Sequence, residues 1–292
     1  MNAVPNLITG PGQIEWNGLL LGDGTEYLVQ SLTGWRELPG VDVGTENRPM
    51  VHGAWAGRVL AQERIVTAEL TIVPLDGEVG RVVAELEAAT SPSEDAAEAE
   101  LTVEDYPGER RSVWGQITRR AIPLASGYRQ RITGVAIQWN CADPRLYAPV
   151  DREVSTGLPS SGGGLDYPLS YPLSYGAPGA SGAVPAENAG NVPTSPRLTV
   201  TGSCVRPQVV NQTTGKTLDF DLVLGPGERL EIDCRNGTAL LNGTGDRLYA
   251  ITGESVPVED FDLVPGPNTV AFRAAQPDPA ATLAVRWRDA WL

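Results

Sequence analysis

Two pairs of aspartates, Asp219/Asp221 and Asp260/Asp262, stand two residues apart in runs that read as strands, and paired carboxylates are what glycoside hydrolysis requires. In both runs the apolar residues take the alternate positions, which puts the acids on the solvent side. Two residues along a strand separate Cα atoms by about 7 Å, and that alone builds no catalytic pair. His52, in the stretch MVHGAW, is the single histidine, so histidine-based metal sites and most nucleophile–histidine pairs are excluded. Cys141, Cys204 and Cys234 contain no CxxC and are too scattered for zinc. They read as small buried hydrophobes, with a Cys204–Cys234 pairing left open. The triplet Gly162-Gly163-Gly164 is not followed by the Lys-Ser/Thr of a phosphate-binding loop. Taken together these residues predict no enzyme, no cofactor and no metal. Tyr249, Trp287 and Trp291 could stack on a sugar; the competing reading is that Trp287 belongs to a core and Trp291 packs at the C-terminus.

The elements that would position these side chains are mainly short strands. A chain of 292 residues suggests about two domains. The 33 glycines and 24 prolines follow no fixed period and so imply many turns. The net charge of −14, shared by both halves, argues against nucleic acid as a partner. No apolar run approaches the ~18 residues of a membrane span, so no membrane insertion is expected.

Residues 1–152 read as a β-rich N-terminal domain. Residues 13–32 suggest a hairpin turning at Gly22-Asp23-Gly24. A helix over about 77–90 is predicted from Asp76 as its N-cap and from Val79, Val82, Val83 and Leu86 at helical spacing. Between them, 33–59 carries too few apolar residues in phase for a core strand. Trp35, Met50 and Trp55, with His52 among them, give this segment contact points for a lid or for an arm laid on a neighbouring subunit. Residues 153–196 read as a linker rich in Gly and Pro, with Tyr167, Tyr171 and Tyr175 of the YPLS repeat as surface anchors. From 197 to 292, strand-like runs separated by GPGE, RNGT, NGTGD and PGPN predict an antiparallel β-sandwich or jelly roll. In KTLDFDLVL, Leu218, Phe220, Leu222 and Leu224 share its inner face.

Several motifs then follow in order: ADPRLYAP at 142–149, LSYPLSYG at 169–176, N-x-G-x-x-x-x-x-P at Asn188–Pro196, and NQTTGKTL at 211–218. L-x-P-G-E-x-L-x-I-D at Leu224–Asp233, LNGTGDR at 241–247 and PGPNTVAF at Pro265–Phe272 complete the series. This series resembles the distal tail proteins (minor tail proteins) of siphophages, the phages with long non-contractile tails, particularly those of actinobacterial hosts. The resemblance implies a structural protein with no active site. It implies a mainly β chain: an N-terminal β-sandwich or split-barrel-like domain with one helix and a belt arm, linked to a galectin-like or carbohydrate-binding-module-like sandwich. Family members form a homohexameric hub ring, the arm embracing the next subunit. The ring joins the tail tube protein to the tail-tip and receptor-binding proteins at the distal end of the virion tail, after synthesis in the host bacterial cytoplasm. The alternative is a glycan-binding module in which the C-terminal sandwich recognises host cell-wall polysaccharide.

Overall fold

A computed structural model describes residues 7–92, 97–160, 181–276 and 280–292, and it is mainly β with one α-helix among those residues. The chain divides into two compact units, the first reaching Pro149 and the second running from Val150 to Trp291. The candidate anchors Tyr167, Tyr171 and Tyr175 lie outside the described residues.

In the first unit, β1 (Gln13–Trp16) and β2 (Leu19–Gly22) form a tight hairpin. Its turn is Asn17-Gly18, both at positive φ (51° and 78°), the pairing that a two-residue hairpin loop demands. The turn thus falls before the Gly-Asp-Gly expected from sequence, which instead leads into β3 (Tyr27–Thr33). An arm follows, built from β4 (Val41–Val43), β5 (Glu46–Asn47), β6 (Ala54–Trp55) and β7 (Val59–Ala61). The chain returns through β8 (Arg64–Ile72), α1 (Val79–Ala89), β9 (Ala99–Tyr106), β10 (Glu109–Ala121), β11 (Ile132–Cys141) and the short β12 (Leu146–Tyr147). Seven strands run in the order β2-β1-β9-β10-β11-β8-β3. Trp16 on β1 and Trp139 on β11 meet edge to face at 5.9 Å although β9 and β10 lie between their strands. Three strand spacings in a flat sheet would hold them about 14 Å apart, so the sheet curls over its own core. Val82 and Leu86 of α1 are sealed into that core, with Val79 and Val83 packed beside it. The helix starts two residues later than expected, with Glu78 at its N-cap: Asp76 instead accepts the Glu78 N–H at 2.9 Å and pairs with Arg81 at 3.0 Å.

The second unit is a sandwich. One sheet has the order β13-β24-β15-β20-β21-β22, comprising β13 (Arg152–Gly157), β15 (Arg197–Thr201), β20 (Arg229–Asp233), β21 (Thr238–Leu241), β22 (Gly245–Asp246) and β24 (Thr282–Trp287). The other has the order β14-β23-β17-β18, from β14 (Ala183–Asn188), β17 (Gln208–Asn211), β18 (Thr217–Asp219) and β23 (Gly266–Arg273). A short pair, β16 (Cys204–Val205) with β19 (Val223–Leu224), lies beside them. Leu198, Val200, Phe220, Leu230, Ile232, Phe272, Leu283 and Val285 fill the space between.

Three expectations change here. Residues 153–157 and 183–188, expected in the linker, belong to edge strands of the sandwich, as does Arg152, expected in the N-terminal domain. Pro185 obscures the second in sequence, yet β14 pairs only with β23, so its missing N–H costs no ladder bond. Asp219, expected on the solvent side, is buried because Arg206 grips it with Nε at 3.1 Å and Nη2 at 2.7 Å, while its backbone bonds to Ser255. Asp260 ends a 3-10 turn, so Asp260/Asp262 are not strand neighbours. Cys141, Cys204 and Cys234 are all buried and none forms a disulfide, and burial pushes the Cys141 thiol up to about 12.

Candidate assembly site

The segment between β3 and β8 leaves the first unit as a narrow ribbon, and its root is built from four contacts. Gly34 (φ 79°) presses its backbone against β8, where a Cβ would stand 1.8 Å from the carbonyl oxygen of Ile65. Trp35 drops its side chain into the core, only 2% exposed. This corrects its expected role: Trp35 is core and cannot be a contact on the arm. Arg36 stacks over Tyr106 at 5.2 Å and pairs with Asp105 and, at 2.7 Å, with Glu109 on the β9–β10 turn. The fourth contact is Arg64, the first residue of β8 and 1% exposed. Its Nη1 donates to the carbonyls of Gly34 (2.7 Å), Trp35 (2.8 Å) and Glu37 (2.9 Å), and its Nε to that of Pro144 (2.7 Å). Desolvation holds the Arg64 pKa below its ordinary value.

Beyond the root, the ribbon pairs Val41 with Ala61, Asp42 with Leu60 and Val43 with Val59. Directly opposed residues of an antiparallel pair share a face. One face is therefore Val41, Val43, Val59 and Ala61, wholly apolar, and the other offers Asp42 and Leu60. At Gly57 the two chains touch: a Cβ there would lie 1.5 Å from the Gly44 carbonyl oxygen, so only glycine fits. Past this pinch, Glu46 opposes Trp55 and Asn47 opposes Ala54. Arg48 covers one side of the Trp55 ring at 5.7 Å. Met50, with φ 61°, and His52 stand at the exposed tip, and Trp55 is 53% exposed. The structure thus gathers Met50, His52 and Trp55 on one outlying element. It adds Val41, Val43, Val59 and Leu60, whose only signal in sequence is alternation within three-residue runs.

The aromatics of the second unit are dispersed. Trp287 lies in the sandwich core, 5% exposed, with its Nε1 donating to the Glu187 carbonyl at 3.0 Å. This corrects its reading as a glycan contact: the inward phase of β24 claims it. Trp291 is half-buried, and Tyr249 is exposed on a 3-10 turn at Leu248–Ala250. A shallow cleft of about 520 Å³ on the outer face of the six-stranded sheet is lined by Arg197, Asp233, Glu153 and Arg286, joined in cross-strand ion pairs. Among the described residues no cluster of His, Cys, Asp and Glu is arranged to hold a metal, and no helix is long and apolar enough to cross a membrane.

The sequence motifs turn out to be joints of the sandwich. Asn188 is fully buried; its Oδ1 accepts from Gly190 at 3.0 Å, and its Nδ2 donates to Val192 at 2.8 Å and Leu263 at 3.1 Å. Gly190 is required two residues on, since a Cβ would meet the Ala290 carbonyl oxygen at 1.7 Å. Asn268 of PGPN holds the Val264 N–H at 3.0 Å and donates to the Val264 carbonyl at 2.7 Å. Residues 189–291 match the family of siphovirus-type tail components, C-terminal domain. The resemblance to siphophage distal tail proteins holds. The fold agrees over almost the whole chain: the Dit protein of phage SPP1, described as a paradigm of the hub adsorption apparatus of phages infecting Gram-positive bacteria, is 16% identical, with a TM-score of 0.66 over 96% of this chain and 99% of that one. A chain of the phage P2 baseplate in its activated conformation with calcium is 7% identical, with a TM-score of 0.50 over 96% of this chain and 98% of that one. No curated protein sequence matches. The two solved structures agree with this chain in fold, and the tail-component match covers most of the sandwich whose joints the motifs form.

Proposed function

We propose that this chain is a structural subunit of a phage tail hub, closing with five further copies into a ring at the distal end of the virion tail, between tail tube and tip proteins. The observation that carries this reading is the ribbon's uncovered apolar face. A lone two-stranded ribbon is marginal in water, and this one exposes Val41, Val43 and Val59 on that face, with Leu60 exposed on the other face and Trp55 exposed beyond the Gly57 pinch. Fully burying such side chains contributes on the order of 1.5–3 kcal/mol each before entropy is subtracted. A second copy is the partner that suits an arm present once on every subunit, because head-to-tail contacts of that kind close into a ring when the rotation between copies closes. In this reading Met50, His52 and Trp55 touch the neighbour and the first unit forms the ring.

Negative-stain electron microscopy of the purified chain at high concentration tests it, with and without a co-expressed tail tube protein. Sixfold rings are expected. Single particles under both conditions, at every concentration, would overturn the reading.

A further inference from the structure

We infer that Arg64 aims the arm: its guanidinium locks the point where the chain leaves the first unit to the point where it returns. The inference rests on the arm being an assembly element, as proposed above, but its physical half stands apart from that reading.

Arg64 is the residue at which the chain re-enters the sheet, and three of the four carbonyls it binds belong to residues 34–37, where the chain departs. One side chain therefore spans both strands of the root. Among the described residues no carboxylate forms an ion pair with it: its hydrogen bonds all go to neutral carbonyls, and Glu37 adds only a weaker coulombic pull that desolvation outweighs. A guanidinium that desolvated is costly unless its donors are satisfied. A buried methionine or leucine would fill the same space without that cost, so packing does not account for an arginine here. What the arginine adds is direction. Carbonyls arriving from two chain segments converge on one rigid planar fork, which a lysine's flexible stem and point charge do not reproduce. Trp35 and Gly34 fix the height of the root against β8, and the fork fixes its angle. A pre-aimed arm docks without losing root entropy on assembly.

The test is a distance distribution between two spin labels in the full chain at a dilution where it is single. One label is placed at Asp42→Cys on β4, close to the root, and the other at Glu69→Cys on β8; both positions are exposed, while the native thiols are buried. The otherwise unchanged chain should give one narrow distribution. Arg64→Lys and Arg64→Gln should broaden it about twofold or more, as a single root conformer is replaced by several, with far-ultraviolet circular dichroism unchanged. A broad distribution with Arg64 intact overturns the inference without any variant. So does a narrow one in a folded Arg64→Gln chain. If Arg64→Gln does not fold, Arg64→Lys decides by the same criterion; if neither folds, Arg64 holds the core and not the arm, and the inference fails.

Assembly is read separately. Where the competent root angle is populated about a tenth of the time, the concentration needed for rings rises about tenfold. Broadening in a chain that never forms rings would uphold the clamp and remove the ring. Rings from Arg64→Lys at unchanged concentration would keep the ring and remove the need for aim.

Discussion

The indole Nε1 of Trp16 donates to the Ala89 carbonyl at 3.0 Å, so a strand residue closes the last turn of α1. The other terminal carbonyls are also met. Leu86 accepts from Thr90, Glu87 from Ser91 and Arg120, and Ala88 from the Ser91 N–H. A helix end leaves four carbonyls without internal partners, and here every one is satisfied. The helix is consequently held by two strands of the curled sheet, since Trp16 lies on β1 and Arg120 on β10.

Trp16→Phe keeps a ring in the core but removes the donor to Ala89 and thins the contact with Trp139. Losing a buried hydrogen bond and some packing should cost about 1–3 kcal/mol. Calorimetry should show the transition of the first unit falling by several degrees while that of the sandwich stays in place. An unchanged first transition would mean the bond contributes nothing.

The arm should respond in the opposite manner. Val43 and Val59 face each other on its apolar side and are exposed in the single chain. Changing both to Asp touches no core residue, so the thermal transitions should move by no more than about 0.5 kcal/mol equivalent. Two buried carboxylates in a docked arm would be strongly unfavourable. Sedimentation velocity should therefore find the variant as single chains under conditions where the parent assembles. Assembly at parental concentration would show that this face is not the contact.

How much of this was legible beforehand follows from how local each signal is. Leu218, Phe220 and Leu224 alternate within one run, and the structure buries all three. Asp219 sits in the same run, and its burial depends on Arg206, a residue 13 positions earlier held at φ 53°; nothing local marks that pairing. The segment 33–59 was readable as something other than core because its apolar residues are out of phase. Its ladders join 41–43 to 59–61 across sixteen or so residues, a register that composition does not encode. Trp35 read as a contact on the arm, and its burial depends on a core built by distant strands and on Arg64, 29 residues downstream, which holds its carbonyl. The Asn17-Gly18 hairpin signal, by contrast, was present in the sequence and outweighed by the more glycine-rich turn after it.

Glu104 gives a pH-dependent prediction. Its carboxylate accepts from Arg110 at 2.7 Å and from the Gly108 N–H at 3.2 Å, and these bonds hold its pKa below the ordinary value of 4.5. A carboxyl depressed in the folded state contributes stability that is present above the unfolded value and is lost as the pH falls through the folded one. Glu104→Gln removes that contribution. Its melting temperature should lie below the parent's near neutrality, and the two curves should converge as the pH drops below about 4. A constant gap down to the lowest pH would assign the loss to packing instead of charge.

The glycan alternative makes its own demands on Trp287 and Tyr249. Trp287 fills the sandwich core and bonds to Glu187, whereas Tyr249 is 77% exposed. Trp287→Ala should destabilise the second unit by about 3–5 kcal/mol, the cost of emptying a buried aromatic site. Any loss of cell-wall binding in that variant would then follow from unfolding, and circular dichroism of the same sample identifies it. Tyr249→Ala should leave stability within about 0.5 kcal/mol, as expected at an exposed position. A drop in wall binding by folded Tyr249→Ala would therefore be direct evidence of a sugar contact. Unchanged binding would leave the second unit without an accessible aromatic platform at that turn, and the sandwich's role would rest on what it attaches to in the tail.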